Sequence, residues 1–433
     1  MAVINDNNNG NVLEGTNAAD TIRGNGGNDF LIGKGGNDTL DGGSGSDFAV
    51  YTGSTNAMTI NLTTGVATGQ GTDKLIGIEH IDGSLTKSDR ITLSGGDNFA
   101  NGNGGNDTIW GLAGRDNLLG GEGNDRLYAG TGTAEELNGQ AGNDFIAAGI
   151  GNDTRAEGGD GIDTLSYADT DPYEGLLIDL DNGNMYTYDS SQMQVSQLIF
   201  NFENAEGSGK DDVIYGSQIR NLLKGLGGND TVEGWGGNDS VDAGAGNDTI
   251  FGGNGNDVTR GGEGHDLVQG GNGNDTVYGG AGNDTVHAGE GNDSLFGESG
   301  NDVLWGNNSG TQLFVGGAGR DVMNGFAGAD RYKFDAIGDS AVGANRDQIV
   351  DFFRSEGDKI DLSAIDARAG VSGNQAFTFI GDDDFSAKGQ VRAEYLGNTI
   401  WLVEGSTDGD LQAEFQIGVS FLGADPGAQD FLL

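Results

Sequence analysis

From Gly207 to Trp305 a nine-residue phrase recurs eleven times without a break, and nothing else in the chain restricts its fold so severely. The phrase is Gly-Gly-x-Gly-(Asn)-Asp-x-apolar-x. It places a carboxylate at Asp230, Asp239, Asp248, Asp257, Asp266, Asp275, Asp284, Asp293 and Asp302. A period this strict specifies a solenoid, in which each unit stacks on its neighbours instead of building one globular core. The glycine half of a unit turns sharply, through backbone angles that are costly for other residues. The other half, as in Thr276-Val277-Tyr278, is a short strand whose middle residue points inward. That inward slot also holds Val232, Val241, Ile250, Val268, Val286, Leu295 and Leu304, with Thr259 as the polar exception.

Two further blocks carry the phrase. The first runs over about 15–50, with Asp20, Asp29, Asp38 and Asp47. The second runs over about 102–163, with Asp107, Asp116, Asp125, Asp144, Asp153 and Asp163; Ala134-Glu135-Glu136-Leu137 makes a register slip inside it. The third, 207–333, also includes Asp212, and Asn221 takes one aspartate position. The unit Gly306-Asn307-Asn308-Ser309-Gly310-Thr311 lacks the carboxylate, and Asp321 and Asp330 resume the pattern.

Segments 51–101 and 164–206 separate the blocks and resemble each other. Tyr51, Thr59-Ile60-Asn61-Leu62, Gly65 and Ile78-Glu79-His80-Ile81-Asp82-Gly83-Ser84 have counterparts in the second segment. These are Tyr167, Leu177-Ile178-Asp179-Leu180, Gly183 and Phe202-Glu203-Asn204-Ala205-Glu206-Gly207-Ser208. Their alternating apolar positions predict strands, read as longer coils without the glycine–aspartate turn, with the blocks forming one rod or two abutting rods. Residues 1–50 hold an N-terminal cap and the first block. Beyond about 333 glycine thins and Phe352-Phe353, Phe377-Thr378-Phe379-Ile380 and Thr399-Ile400-Trp401-Leu402-Val403 appear. Region 334–433 is therefore expected to be a β-rich cap over the exposed strand edges of the solenoid.

Two units make one coil, so turns eighteen residues apart lie on the same side and coils stack at about 4.7–4.9 Å. Asp230, Asp248, Asp266 and Asp284 then form one column; Asp239, Asp257, Asp275 and Asp293 form the other. Bare carboxylates so close repel, and a hard dication between successive turns converts repulsion into attraction. Turn carbonyls such as those of Gly252, Asn254, Gly261, Glu263, Gly270, Asn272, Gly279 and Ala281 supply further oxygens. An all-oxygen, irregular set suits calcium, with six to eight ligands, better than octahedral magnesium. Eleven turns paired this way would hold on the order of nine ions. Turn propensity alone does not require Asp at the sixth position so consistently. The degenerate units around Asp20, Asp163 and Asp212 are open to either reading, metal turn or structural turn.

Composition agrees. The 433 residues include 85 Gly, two Pro and no Cys, and the formal net charge is −46. Without the period, so much glycine would mean disorder; without cysteine, metal is the remaining cross-link. The charge argues against nucleic acid and anionic membranes as partners. No stretch approaches a membrane span, and Met1–Gly15 shows no signal peptide. Asp179-Leu180-Asp181-Asn182-Gly183 is not an EF-hand loop: its glycine comes one place early and Ser190 stands where the bidentate Glu belongs.

The repeats resemble the RTX family of hemolysin-type calcium-binding nonapeptides over most of 15–333, a motif standard among repeat architectures. That resemblance implies an all-β parallel β-roll, export by a Gram-negative type I ABC transporter and folding on extracellular calcium. The last hundred residues resemble the C-terminal region of serralysins and of mannuronan epimerase modules. They do so through Asp347-Gln348-Ile349-Val350-Asp351-Phe352, Asp358-Lys359-Ile360-Asp361-Leu362-Ser363, Phe377-Thr378-Phe379-Ile380-Gly381 and Val403-Glu404-Gly405. The ending Asp430-Phe431-Leu432-Leu433 is similar to a type I secretion signal; a frayed tail is the alternative.

Catalytic signatures of the relatives are missing. His80, His265 and His287 make no His-Glu-x-x-His, no Gly-x-Ser-x-Gly elbow is present, and the nearest string to the epimerase Asp-Pro-His is Asp171-Pro172-Tyr173. Two functions stay open. One is a secreted, non-enzymatic calcium protein acting at a surface, in a matrix or on a host or polysaccharide partner. The other is an extracellular enzyme or binding module for acidic polysaccharide, although the 21 Lys and Arg are sparse and scattered along the chain.

Overall fold

The computed structural model describes residues 2–6, 8–172, 174–189, 192–370, 372–422 and 425–433, leaving out the side chains of 188, 189 and 192–195. Tyr173 and Ser190, weighed above, lie outside the described residues. The chain divides into two compact units, Met1–Lys210 and Asp211–Leu433. Each is a parallel β-roll, and among the described residues there is no α-helix.

In the second unit, strands separated by one intervening strand pair in parallel with an offset of eighteen residues. Thr249 lies beside Leu267 and Thr285, while Val258 lies beside Thr276 and Ser294. Two nine-residue units therefore complete one coil and feed two facing sheets. The apolar residue at the eighth position of each unit ends up inside. Val232, Ile250, Val268, Val277, Val286, Leu295 and Leu304 are fully buried, and so is Thr259, whose hydroxyl finds no partner. The core is one side chain per strand. Its hydrophobic stabilisation, about 1.5–3 kcal/mol per buried aliphatic, is thin for so much ordered backbone.

The first unit repeats this plan with coils of eighteen or nineteen residues. Its two intervening segments are more than plain longer coils. Thr59–Asn61, Val66–Thr68 and Thr72–Ile76 form an antiparallel meander, and so do Leu176–Asp179, Asn184–Asp189 and Gln192–Phe200. Gly65 at φ +65° and Gly183 at φ +72° close the first hairpin of each, which plain alternation could not reveal. The outer strands rejoin the roll: Thr72–Ile76 pairs with Thr39–Asp41, and Gln192–Phe200 with Thr154–Asp160.

After 333 the second unit changes style. Asp347–Phe352 extends one sheet and Lys359–Asp361 the other. An antiparallel sheet of Gln390–Gly397, Ile400–Ser406 and Phe415–Phe421 joins the first of these. The terminus is no frayed tail: Phe431–Leu432 pairs with Lys359–Asp361, and the guanidinium of Arg354 holds the fully buried Asp430.

Candidate calcium-binding turns

The turn Gly270–Asp275 shows how the sequence builds the site. Gly271 and Gly273 sit at φ +119° and +138°, so the chain reverses through two left-handed positions. That reversal sends the Asp275 side chain into the roll, where it is buried. One of its oxygens is used structurally: Oδ1 accepts the N–H of Asp257, one coil earlier, at 2.9 Å. The same bond runs along both predicted columns of the second unit. In one, Asp212 donates to Asp230, Asp230 to Asp248, and so on through Asp266, Asp284, Asp302 and Asp321 to Asp347. In the other, Asn221, Asp239, Asp257, Asp275 and Asp293 follow each other, and Gln312, Asp330 and Asp358 continue the series. In the first unit the corresponding chains are Asp20–Asp38–Asp73, Asp29–Asp47–Glu79, Asp89–Asp107–Asp125–Asp144–Asp163–Glu203 and Asn98–Asp116–Glu135.

The second oxygen has nothing. Oδ2 is buried without a hydrogen-bond partner at Asp29, Asp38, Asp47, Asp107, Asp116, Asp125, Asp144 and Asp163. The same holds at Asp230, Asp239, Asp248, Asp257, Asp266, Asp275, Asp284, Asp302, Asp321 and Asp330. Buried polar atoms are almost always paired, and a buried unpaired carboxylate oxygen is among the costliest exceptions. All but Asp248, whose turn opens with Ala243, face a cradle left by the first glycine of their own turn. A Cβ on Gly270 would lie 2.7 Å from Asp275 Oδ2 and 2.5 Å from the carbonyl oxygen of Ala288 in the next coil. Gly252, Gly270 and Gly279 present their carbonyl oxygens to the same kind of cradle, beside Asp239, Asp257 and Asp266. The expected third-position carbonyls of Asn254, Glu263, Asn272 and Ala281 already accept an N–H from the preceding coil at 2.7–2.9 Å, keeping one lone pair each. Gly261 carries the cradle of Asp266 itself. Orphaned carboxylate oxygens, carbonyl oxygens and a space that admits no side-chain carbon fit a hard cation bound by oxygen.

Without a cation, burial disfavours the charged form of most of these carboxyls. Burial, reinforced by carboxylates in the adjacent coils, pushes Asp302 and Asp107 up to about 8 and Asp230 and Asp275 up to about 7. Asp347, at the rim of the first column, is raised to about 9 for the same reasons.

Several predicted residues are placed differently. Asp153 does not enter a column: it is exposed at φ +62°, and Thr154 fills the buried position one residue later. Asp20 stands apart as well, because the N–H and hydroxyl of Thr16 both donate to its Oδ2 at 2.7 Å. The N–H of Ala2, which donates to the same carboxylate, together with those bonds from Thr16 holds it down to about 2. Asp212 lies in the column and donates to Asp230. At Asp293 the Asn307 amide reaches Oδ2 at 3.3 Å and Gln312 Nε2 reaches the carbonyl of Gly291, so two amides crowd this cradle.

Other acids were missed. Glu135, read as part of a slip, fills the slot between Asp116 and Thr154 with Oε1 unpartnered, and burial lifts it to about 7. Asp73, Glu79, Asp89, Glu203, Asp347 and Asp358 prolong the columns beyond the repeats. Except for Asp89, eighteen residues before Asp107, their spacing to the nearest repeat differs from eighteen, which hid all but the Glu79 and Glu203 pair, visible as matching positions of the duplicated segments. Of the histidines, His80 Nδ1 accepts the N–H of Phe99, and His265 replaces an asparagine in an outer turn ladder, accepting the N–H of Asn283.

Among known protein families, the model described as RTX calcium-binding nonapeptide repeat (4 copies) matches residues 14–49, 87–127, 129–154 and, in overlapping windows, 215–336. Its matches stop there, so the serralysin-like reading of 347–433 keeps only its motifs. No curated relative matches the chain. Among solved structures, the AlgE6R3 subunit of the Azotobacter vinelandii mannuronan C5-epimerase is 27% identical over 32% of this chain and 71% of its own, with a TM-score of 0.24. The extracellular lipase LipA from Serratia marcescens is 15% identical over 76% of this chain and 40% of its own, with a TM-score of 0.14.

Proposed function

This chain belongs to the family of RTX calcium-binding nonapeptide repeat proteins and binds calcium, and we propose that it does so after export, the ions completing its fold outside the cell. The observation that carries this reading is the double row of buried, unpartnered Oδ2 atoms in each unit. The ligands are proposed to be the aspartates with such oxygens, together with the carbonyls facing the same cradles. Where free calcium is scarce, as in a cytosol, the columns oppose folding and leave a threadable chain suited to a type I exporter. Where calcium is plentiful, binding free energy becomes folding free energy. No helix among the described residues is long and apolar enough to cross a membrane. The protein on this reading acts as a non-enzymatic surface, matrix or partner-binding scaffold. Far-UV circular dichroism in EDTA and in millimolar calcium tests it: β structure should be gained with calcium, and equal spectra would overturn it.

A second reading, binding of acidic polysaccharide, has one observation in its favour. The cations that look scattered in sequence are partly gathered in space. Between Thr59 and Phe145 the outward positions of one sheet of the first unit carry no acid, but do carry Arg90, Arg126, Trp110, Tyr128 and Phe145. Arg90 lies over Trp110 at 4.8 Å and Arg126 over Phe145 at 4.3 Å. In a chain of charge −46 this face suits an anionic glycan. Incubating the calcium-loaded protein with alginate and pectin distinguishes binding from turnover, and neither would remove this reading.

A further inference from the structure

Most repeat turns fall into two backbone classes. Those repeat turns with an unpartnered Oδ2 all have positive φ at the second and fourth positions, the fourth always glycine. Examples are Lys34 and Gly36 at +69° and +129°, Leu226 and Gly228 at +83° and +116°, and Gly271 and Gly273. Among the turns with no positive φ are Gly15–Asp20, Gly83–Asp89, Leu93–Asn98 and Gly216–Asn221. In each of these four, the residue after the first position is Thr16, Ser84, Ser94 or Ser217. That residue donates both its N–H and its hydroxyl to the acid or amide closing the turn. Thr16 does so to Asp20, and Ser84 to Asp89, at 2.6 Å from N–H and 2.9 Å from hydroxyl. Ser94 does so to Asn98 at 2.9 Å, and Ser217 to Asn221 at 2.7 and 3.3 Å. The side-chain oxygen that elsewhere faces an open cradle is here satisfied from within the turn. Gly207–Asp212 has the same sequence pattern, with Ser208 after the glycine.

The position of these turns is as regular as their chemistry. Gly15–Asp20 comes immediately before the run that starts at Gly24, and the turns closed by Asp89 and Asn98 come before the run that starts at Gly102. Gly216–Asn221 precedes the run that starts at Gly225.

We propose that a Ser or Thr after the first position makes a turn metal-free, its hydroxyl and amide taking the place of the ion, and that every run of calcium turns starts against such a turn. This inference rests on the calcium reading above and refines it by giving the reason why the turns closed by Asp20, Asp89, Asn98 and Asn221 hold no ion. The role is physical. A turn that closes without metal offers the next coil a preformed edge whose backbone N–H already awaits a carboxylate: that of Asn98 meets Asp116 at 2.8 Å and that of Asn221 meets Asp239 at 2.7 Å. Coil stacking is costly to start and cheap to extend, so a metal-free first edge places the start of each run.

Conversion of the turn tests the proposal. The variant S217G/I219G/N221D installs both flexible positions and the carboxylate in the full-length protein. T16G/A18G does so where the carboxylate of Asp20 already exists. Native mass spectrometry of the calcium-loaded chains should show one ion more than wild type in each. If neither gains an ion, the rule is wrong. D275N, measured alongside, should carry fewer ions; an unchanged count there would bring down the calcium columns themselves, not this rule alone.

Discussion

The repeats of the second unit, up to about residue 333, and its last hundred residues solve the same problem with opposite means. Apart from Thr259, each repeat strand buries an apolar side chain, and each regular turn except that of Asp293 leaves a carboxylate oxygen unpaired. Beyond the column ends at Asp347 and Asp358, the C-terminal region buries Phe352, Phe377, Phe415, Ile417, Val419 and Phe421 around an antiparallel sheet and pairs charges in that sheet and at its terminus. Arg354 holds Asp430, and Arg392 Nε donates to Glu404 at 2.7 Å. One region is completed by an ion that the chain does not contain; the other carries its own counter-charges. On the proposed reading, a single polypeptide has a metal-dependent and a metal-independent part joined by continuous sheets.

Chelation should separate the two most strongly. In EDTA at pH 8 the amides of 225–330 should lose hydrogen-exchange protection while those of 390–421 keep it. Uniform loss or uniform retention would erase the contrast. Next in size are the single charges. D275N should cost about 3–5 kcal/mol in calcium, the scale of breaking a buried charge pair, and almost nothing in EDTA. R354A should cost a similar amount in both conditions, because it strands the buried Asp430 irrespective of metal. Thermal melts with and without calcium read this difference, at about 2–4 °C per kcal/mol for a unit of this size.

The pH dependence should reverse between conditions. Folded metal-free carboxyls with pKa raised to about 6–8 bind more protons than unfolded ones near 4. Their contribution is therefore full below about pH 4 and is lost as pH rises through about 6–8. In EDTA the repeats should melt higher at pH 5 than at pH 8; in calcium, which needs the deprotonated form, the order should invert. The smallest effect belongs to the outer asparagine ladder. Asn274 Oδ1 accepts the N–H of Asn292 at 2.9 Å, and N274A should cost about 1 kcal/mol by urea denaturation in calcium.

How much of this could be read from residues alone follows from where the period holds. An offset of eighteen sorts Asp230 and Asp239 into separate columns with no coordinates, because coil length is set by the repeat. It also puts Val277 and Leu295 inside. Where a coil has nineteen residues the arithmetic fails: Asp153 looks like a column member and Thr154 takes its place, while Glu135 hides in an apparent slip. The meanders around Gly65 and Gly183 escaped because alternation predicts strands and is silent on whether the next strand returns or continues. The hydroxyl-closed turns were visible as Thr16, Ser94 and Ser217, yet only the hydrogen bonds showed what those side chains do.

Calcium titration by calorimetry near pH 6.5, repeated in two buffers of different ionisation enthalpy, addresses the central claim most directly. If cations enter cradles whose carboxyls are otherwise protonated, the apparent heats must differ between buffers and report net proton release on binding. Heats that coincide, with no proton leaving as calcium enters, would mean that the buried acids are not where the ions go.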